Sequence, residues 1–172
     1  AALALAPVVM AADSGADTAL AHGQGPAAVV GDLDSISDAA RRELADVLHP
    51  VAEQNSTDFE KCLARIAAPF VIAVGFSGSR LDHTLAALNA LVRRVGPPTV
   101  LLAGADAMLA CPRRVSADLP AGTRVSLFPM GQATASGTGL RWPVDGIDFA
   151  PDGRIGTSNE ITGPLDLTVT GP

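Results

Sequence analysis

Lysine is almost missing from this chain: Lys61 is the only one among 172 residues, and every other fixed cation is arginine. No G-x-x-x-x-G-K-[ST] segment exists, which excludes a P-loop, so phosphate charge has to be met by metal, arginine and backbone N–H groups. Charged residues amount to 17% and the formal charge is -6. Such a chain offers no basic face, and no nucleic-acid partner is expected. The first twelve residues are apolar and alanine-rich, but no basic segment precedes them and Asp13 ends the run. A strand is expected there rather than a signal peptide or a membrane span, and no membrane partner. The two cysteines, Cys62 and Cys111, form no C-x-x-C pair. With Cys62 on the apolar face of a predicted helix, a reduced core thiol and a cytoplasmic setting are expected. No Cys/His cluster suggests zinc, and no G-x-S-x-G suggests an esterase. Tyrosine is absent and Trp142 is the sole tryptophan, so few side chains are available to cover a flat ring.

Hydrophobic residues make up 48% of the chain, enough to bury a real core and to exclude disorder. Short apolar runs at 7–12, 27–30, 70–75 and 100–103 read as strands. Between them stand helical patterns: Ser37 opens one, with Asp38 in its first turn and Ala40, Leu44, Val47 and Leu48 on one face. Thr57-x-x-Glu60 is a capping box ahead of Phe59, Leu63 and Ile66, and Leu85, Leu88 and Val92 stripe a third helix. This alternation predicts a three-layer α/β/α, Rossmann-like domain with a mostly parallel sheet over 1–112. Beyond Pro112 helical periodicity stops and Gly, Pro and Thr become frequent. Strand-like runs at 124–128, 140–142, 147–149 and 165–169 predict a small antiparallel β-sandwich over 113–172.

Three acidic stretches follow the apolar runs: Gly31-Asp32-Leu33-Asp34-Ser35, Thr57-Asp58-Phe59-Glu60 and Arg80-Leu81-Asp82-His83-Thr84. Loops at the carboxyl ends of parallel strands converge on one crevice. Carboxylates gathered there repel one another unless a cation lies between them, and the hard cation suited to oxygen ligands is Mg²⁺. The alternation Asp32-x-Asp34 directs both side chains one way if the strand continues; otherwise the segment is a turn that caps the next helix. Asp58 suits the first turn of a helix with or without a ligand. Arg80 and Asp82 follow the flexible Gly75-Phe76-Ser77-Gly78-Ser79, a composition suited to a phosphate-facing loop. Trp142 is either a core anchor of the β domain or a stacking platform, and Ser158-Asn159-Glu160 reads most simply as a turn. Asp32-Leu33-Asp34-Ser35-Ile36 after an apolar strand also resembles the haloacid-dehalogenase phosphatases, with Asp32 as nucleophile. Those enzymes need a downstream lysine and a late acidic pair on a strand end, whereas the only lysine, Lys61, is inside a helical pattern. A non-enzymatic nucleotide-sensing module is the other rival.

In order, the segments Ala12-Asp13-Ser14-Gly15-Ala16-Asp17, Gly31-Asp32-Leu33-Asp34-Ser35, Thr57-Asp58-Phe59-Glu60, Ser79-Arg80-Leu81-Asp82-His83-Thr84, Leu140-Arg141-Trp142-Pro143 and Ser158-Asn159 resemble the motifs of the thiamin pyrophosphokinase family. The resemblance implies transfer of the pyrophosphoryl group of ATP to thiamin, with Mg²⁺ as cofactor, in a homodimer whose subunits share the thiamin site. It implies metal ligation by Asp32, Asp34 and Asp58, and catalytic roles for Asp58, Arg80 and Asp82. It further implies ATP contacts from Asp13, Gly15, Thr57, His83 and Thr84, and thiamin contacts from Trp142, Ser158 and Asn159. Three departures stand out: Gln54-Asn55-Ser56 replaces a usual K-D-x, Ser14 and Asp17 replace Gly and Asn, and the family's usual further strand–helix unit ahead of the first motif is not in this sequence.

Overall fold

The computed structural model describes residues 2–78 and 80–172; Ser79, part of the fourth motif, lies outside the described residues. The chain divides into two compact units, Ala1–Leu109 and Ala110–Pro172.

In the first unit the helices α1 (Ala2–Leu5), α2 (Gly15–Ala21), α3 (Asp38–Glu43), α4 (Asp58–Leu63) and α5 (Leu81–Val92) accompany the strands β1 (Met10–Ala12), β2 (Ala28–Gly31), β3 (Leu48–Pro50), β4 (Val71–Val74), β5 (Thr99–Ala103) and β6 (Asp106–Leu109). The order β1-β2-β3 is wholly parallel, and in β4-β5-β6 the last strand returns antiparallel. The mixed α/β architecture expected from the alternation is present. The strands nevertheless form two three-stranded sheets, not one. Beside β1 and β4 lies a wide cleft that both strands line, and among the described residues no ladder joins their free edges. α2 packs on β1, while α4 packs on β1 and β2 and also meets α5. Ala11, Ala16, Val29, Leu33, Ile36, Ala40 and Leu44 form the core against the first sheet.

Two local differences from the sequence reading have physical causes. The helix opened by Ser37 stops at Glu43; a short 3₁₀ turn, Ala45–Val47, follows, and Leu48 belongs to a strand. Leu44 leaves the helical region at φ -104 and ψ 17, which turns the chain back to pair with β2. The capping box at Thr57 forms as expected: its hydroxyl accepts from the Glu60 N–H at 3.3 Å, and the Glu60 carboxylate accepts from the Thr57 N–H at 3.0 Å.

In the second unit the ladders between strands are all antiparallel: β7 (Arg114–Ala117), β8 (Arg124–Leu127), β9 (Ala133–Leu140), β10 (Ile147–Phe149) and the long β11 (Gly156–Thr170). The ladder order is β10-β9-β11-β7, and the first part of β11 pairs separately with β8. Val125 and Leu127 of β8 meet Ala135, Phe149, Ile161, Leu165 and Leu167 in a common core, so the two ladders form a small sandwich. The run at 140–142 proves to be the end of β9, and Trp142 lies beyond it. No described helix is long and apolar enough to cross a membrane.

Candidate active site

β1 and β2 are adjacent parallel strands, and each ends at an aspartate: Asp13 follows Ala12, and Asp32 follows Gly31. Asp58 opens α4, which packs on the same two strands. One ligand atom from each of Asp13, Asp32 and Asp58 falls within 4.8 Å of the others. At that separation the carboxylate charges repel one another unless a cation lies between them. Asp13 is 6% exposed, and its buried Oδ1 has no hydrogen-bond partner among the described residues. A carboxylate oxygen left so is costly unless a cation faces it. Asp13 also adopts a left-handed φ of 44°, a conformation that aspartate tolerates better than most residues. The neighbouring Gly31 makes the approach possible, because a Cβ there would stand 3.0 Å from Asp13 Cβ and 3.2 Å from Asp58 Oδ1. An acidic trio of hard oxygen donors with one orphaned oxygen fits Mg²⁺.

Around this trio other partners are fixed. Gln54 Nε2 donates to Asp32 Oδ2 at 3.0 Å, so the residue that departs from the family pattern is tied to the trio. This hydrogen bond, with the Asp34 N–H and the Lys61 charge adding to it, holds the Asp32 carboxyl below its ordinary value. Lys61 is nearly fully buried and reaches Asp58 Oδ1 at 3.0 Å and Asp32 Oδ2 at 4.0 Å. Burial alone would push its ammonium down, but the hydrogen bond and charge of Asp58 and the charges of Asp32 and Glu53 outweigh that and raise it. Cys62 is buried as expected, and burial pushes its thiol up to about 12. Asp17, another departure from the family pattern, accepts both the N–H and the hydroxyl of Ser37, whose own hydroxyl caps α3.

Asp34 is not a member of the trio. Leu33 turns through a left-handed φ of 63°, so the chain does not continue as a strand. Asp34 is instead exposed, with its Oδ1 accepting from the Ser35 hydroxyl at 2.8 Å. It still lines the cleft, as do Asp13, Gly15, Asp32, Thr57, Asp58, Arg80 and His83. The cleft volume is about 1830 Å³. Asp82 and Thr84 do not line it. Arg80 and Asp82 hold each other through two hydrogen bonds of 2.6 and 3.3 Å, both side chains being about two-thirds exposed. That partner holds the Asp82 carboxyl below its usual range. The glycine-rich loop ahead of Arg80 is pinned by Phe76, whose ring lies 4.2 Å from that of Phe59 on α4.

In the second unit Trp142, Ser158 and Asn159 come together along a pocket of about 290 Å³ that Val144 and Phe149 also line. Trp142 is 52% exposed, so it is no core anchor, and the Arg141 guanidinium lies 5.1 Å from its ring centre. Asn159 is buried and its amide is committed to backbone. Oδ1 accepts from the N–H groups of Trp142 and Glu160 at 3.1 and 2.8 Å, and Nδ2 donates to the Trp142 carbonyl at 2.7 Å. Its role in the structure is to hold Trp142. Ser158 has a left-handed φ of 61° where the β11–β8 register shifts, a bulge that re-aims the strand at the pocket.

Residues 2–100 match the family described as thiamin pyrophosphokinase, catalytic domain, and residues 111–170 match thiamin pyrophosphokinase, vitamin B1 binding domain. The chain is 29% identical over 156 residues to thiamine pyrophosphokinase 1 of Oryza sativa subsp. japonica, covering 79% of this chain and 59% of that protein. It is 27% identical over 154 residues to thiamin pyrophosphokinase 1 of Caenorhabditis elegans, covering 80% and 63%. The chain thus spans about three-fifths of the length of these relatives. Its fold is like that of thiamin pyrophosphokinase from Geobacillus thermodenitrificans, with a TM-score of 0.79 and 22% identity over 95% of this chain and 82% of that one. The enzyme from Candida albicans gives a TM-score of 0.78 at 16% identity, covering 94% and 78%.

Proposed function

The chain belongs to the thiamin pyrophosphokinase family, and from that premise we propose that it transfers the diphosphoryl group of ATP to the hydroxyethyl oxygen of thiamin, giving thiamin diphosphate and AMP. The observation that carries this reading is the acidic trio Asp13, Asp32 and Asp58 with its orphaned oxygen, in a cleft that also presents Arg80 and His83. Mg²⁺ fits that trio, and Asp34 is close enough in sequence to serve through water. When bound, the ion supplies neutralisation of triphosphate charge.

The remaining work falls to the chain's own residues. The alcohol oxygen attacks the β-phosphorus in line, the α–β bridging P–O bond breaks, and AMP leaves with the bridging oxygen. Arg80 exchanges Asp82 for phosphate oxygens, which suits its planar donor fork. Asp82, released from Arg80, takes the hydroxyl proton and passes it to water. Gly15, Thr57 and His83 border the nucleotide, Thr57 chiefly by fixing the start of α4, and Thr84, which does not line the cleft, is placed with them on family grounds alone. In the β unit Trp142 offers a half-exposed face to the cationic thiazolium or the pyrimidine, Asn159 sets its position, and Ser158 meets a polar edge. A homodimer and a cytoplasmic location belong to the same proposal on family grounds. The phosphatase reading of Asp32 is not favoured, since both family descriptions are of thiamin pyrophosphokinase. The test is product analysis with ATP, Mg²⁺ and thiamin. AMP formed only when thiamin is present supports the proposal; free phosphate points to a phosphatase, and no turnover with retained nucleotide binding points to a sensor.

A further inference from the structure

The single lysine of the chain is placed among the carboxylates. Lys61 lies on α4 one turn after Asp58; its side chain is 2% exposed, and its Nζ is 3.0 Å from Asp58 Oδ1 and 4.0 Å from Asp32 Oδ2. Two of the three carboxylates that fit a divalent ion therefore already face a fixed cation, while Asp13 faces none among the described residues. The ammonium is held out of water, its side chain being 2% exposed on a helix whose Phe59, Cys62 and Leu63 are also buried.

We propose that Lys61 is a built-in counter-ion: it keeps the trio assembled in the absence of metal, and it keeps the trio's affinity for a free divalent ion low. The ion then enters together with the triphosphate, whose own negative charge offsets the ammonium. The inference rests on the reading above that a divalent ion binds this trio. The charge count carries it. Three carboxylates and one ammonium carry a formal charge of -2, which a lone divalent ion would cancel while sitting a few ångströms from a like charge. Without Lys61 the trio would carry -3, attract a free ion more strongly, and repel itself when empty. A lysine that served packing alone would not couple to metal in this way. Lys61 is thus a positioning residue, acting through Asp58 and Asp32.

The experiment compares wild type, Lys61→Met and Lys61→Arg by isothermal titration with Mg²⁺ alone, and by thermal melts without metal and with about 10 mM Mg²⁺. Lys61→Met should bind free Mg²⁺ at least tenfold more tightly than wild type. Its metal-free melting temperature should fall by several degrees, and Mg²⁺ should restore it; Lys61→Arg should behave as wild type in both. If Lys61→Met does not fold without metal, recovery of its folded far-ultraviolet spectrum on adding Mg²⁺ supports the proposal, and failure to recover overturns it. A folded Lys61→Met whose Mg²⁺ affinity equals or falls below that of wild type also overturns it. Asp58→Asn separates the two readings. If wild type and Asp58→Asn bind Mg²⁺–ATP equally well, the metal reading itself fails. If Asp58→Asn weakens that binding but Lys61→Met gains no affinity for free Mg²⁺, only the role of Lys61 fails.

Discussion

Replacing Asn159 with alanine should unfasten Trp142. The amide makes three hydrogen bonds, of 2.7, 2.8 and 3.1 Å, all to backbone groups of Trp142 and Glu160, and the residue is 7% exposed. Each lost bond costs about 1 kcal/mol net, and a stranded backbone group costs about 1–3 kcal/mol where water cannot reach it. Trp142 is half-exposed, so water recovers part of that penalty, and the loss should total about 2–4 kcal/mol. With a urea slope near about 1 kcal/mol per molar for a unit of this size, the unfolding midpoint should drop by about 2–4 M. The assay is urea denaturation of the full chain, read by far-ultraviolet circular dichroism and by emission of its only tryptophan. A loss below about 0.5 kcal/mol with unchanged tryptophan emission would refute the reasoning, since it would mean that the amide network does not hold the β9–β10 connection.

Gly31→Ala would put a Cβ 3.0 Å from Asp13 Cβ and 3.2 Å from Asp58 Oδ1; the trio must open by a few tenths of an ångström, and turnover at limiting Mg²⁺ should fall about tenfold or more while saturating Mg²⁺ recovers part of it. Glu60 is held below its ordinary value of 4.5 first by the Thr57 N–H and then by the Thr57 hydroxyl and Arg93. Its contribution is therefore full above 4.5 and is lost as pH falls through the lower folded value. Glu60→Gln should be less stable at neutral pH and show a flatter acid limb in melts taken across that range; an unchanged limb would discard the capping-box account. Trp142→Ala should raise the KM for thiamin about ten- to a hundredfold with little change in the KM for ATP, as measured by steady-state kinetics, and loss of both substrates together would mark Trp142 as packing instead.

The features legible in the sequence were those encoded by neighbouring residues. Thr57 and Glu60 stand three apart and cap each other as that spacing requires, and the Gly, Pro and Thr content after residue 112 gave the antiparallel character of the second unit. Features set by backbone conformation or by distant pairing were harder to see. Leucine has no preference for a positive φ, so nothing local announces that Leu33 turns at 63° and that the Asp34 carboxylate lies outside the trio. Strand β3 holds one apolar residue in Leu-His-Pro, and β6 is set by its return along β5. Asp13 carries the same signal as Asp32, an aspartate directly after an apolar parallel strand. The Asp58–Lys61 spacing of i,i+3 is legible in the sequence, whereas the burial of that ammonium beside Asp32 is not. For Trp142, neither exposure nor the Asn159 clamp could be read from a lone indole beside a proline.

The central claim is diphosphoryl transfer to thiamin at the Asp13–Asp32–Asp58 cleft. It is tested most directly by incubating the chain with Mg²⁺, thiamin and ATP labelled separately at the α- or β-phosphorus, and following the label by chromatography. The account predicts that β-label moves into thiamin diphosphate while α-label appears in AMP, in equal amounts and only with thiamin present, and that Asp32→Asn abolishes both. Label recovered as ADP, as free phosphate, or as AMP formed without thiamin would contradict it.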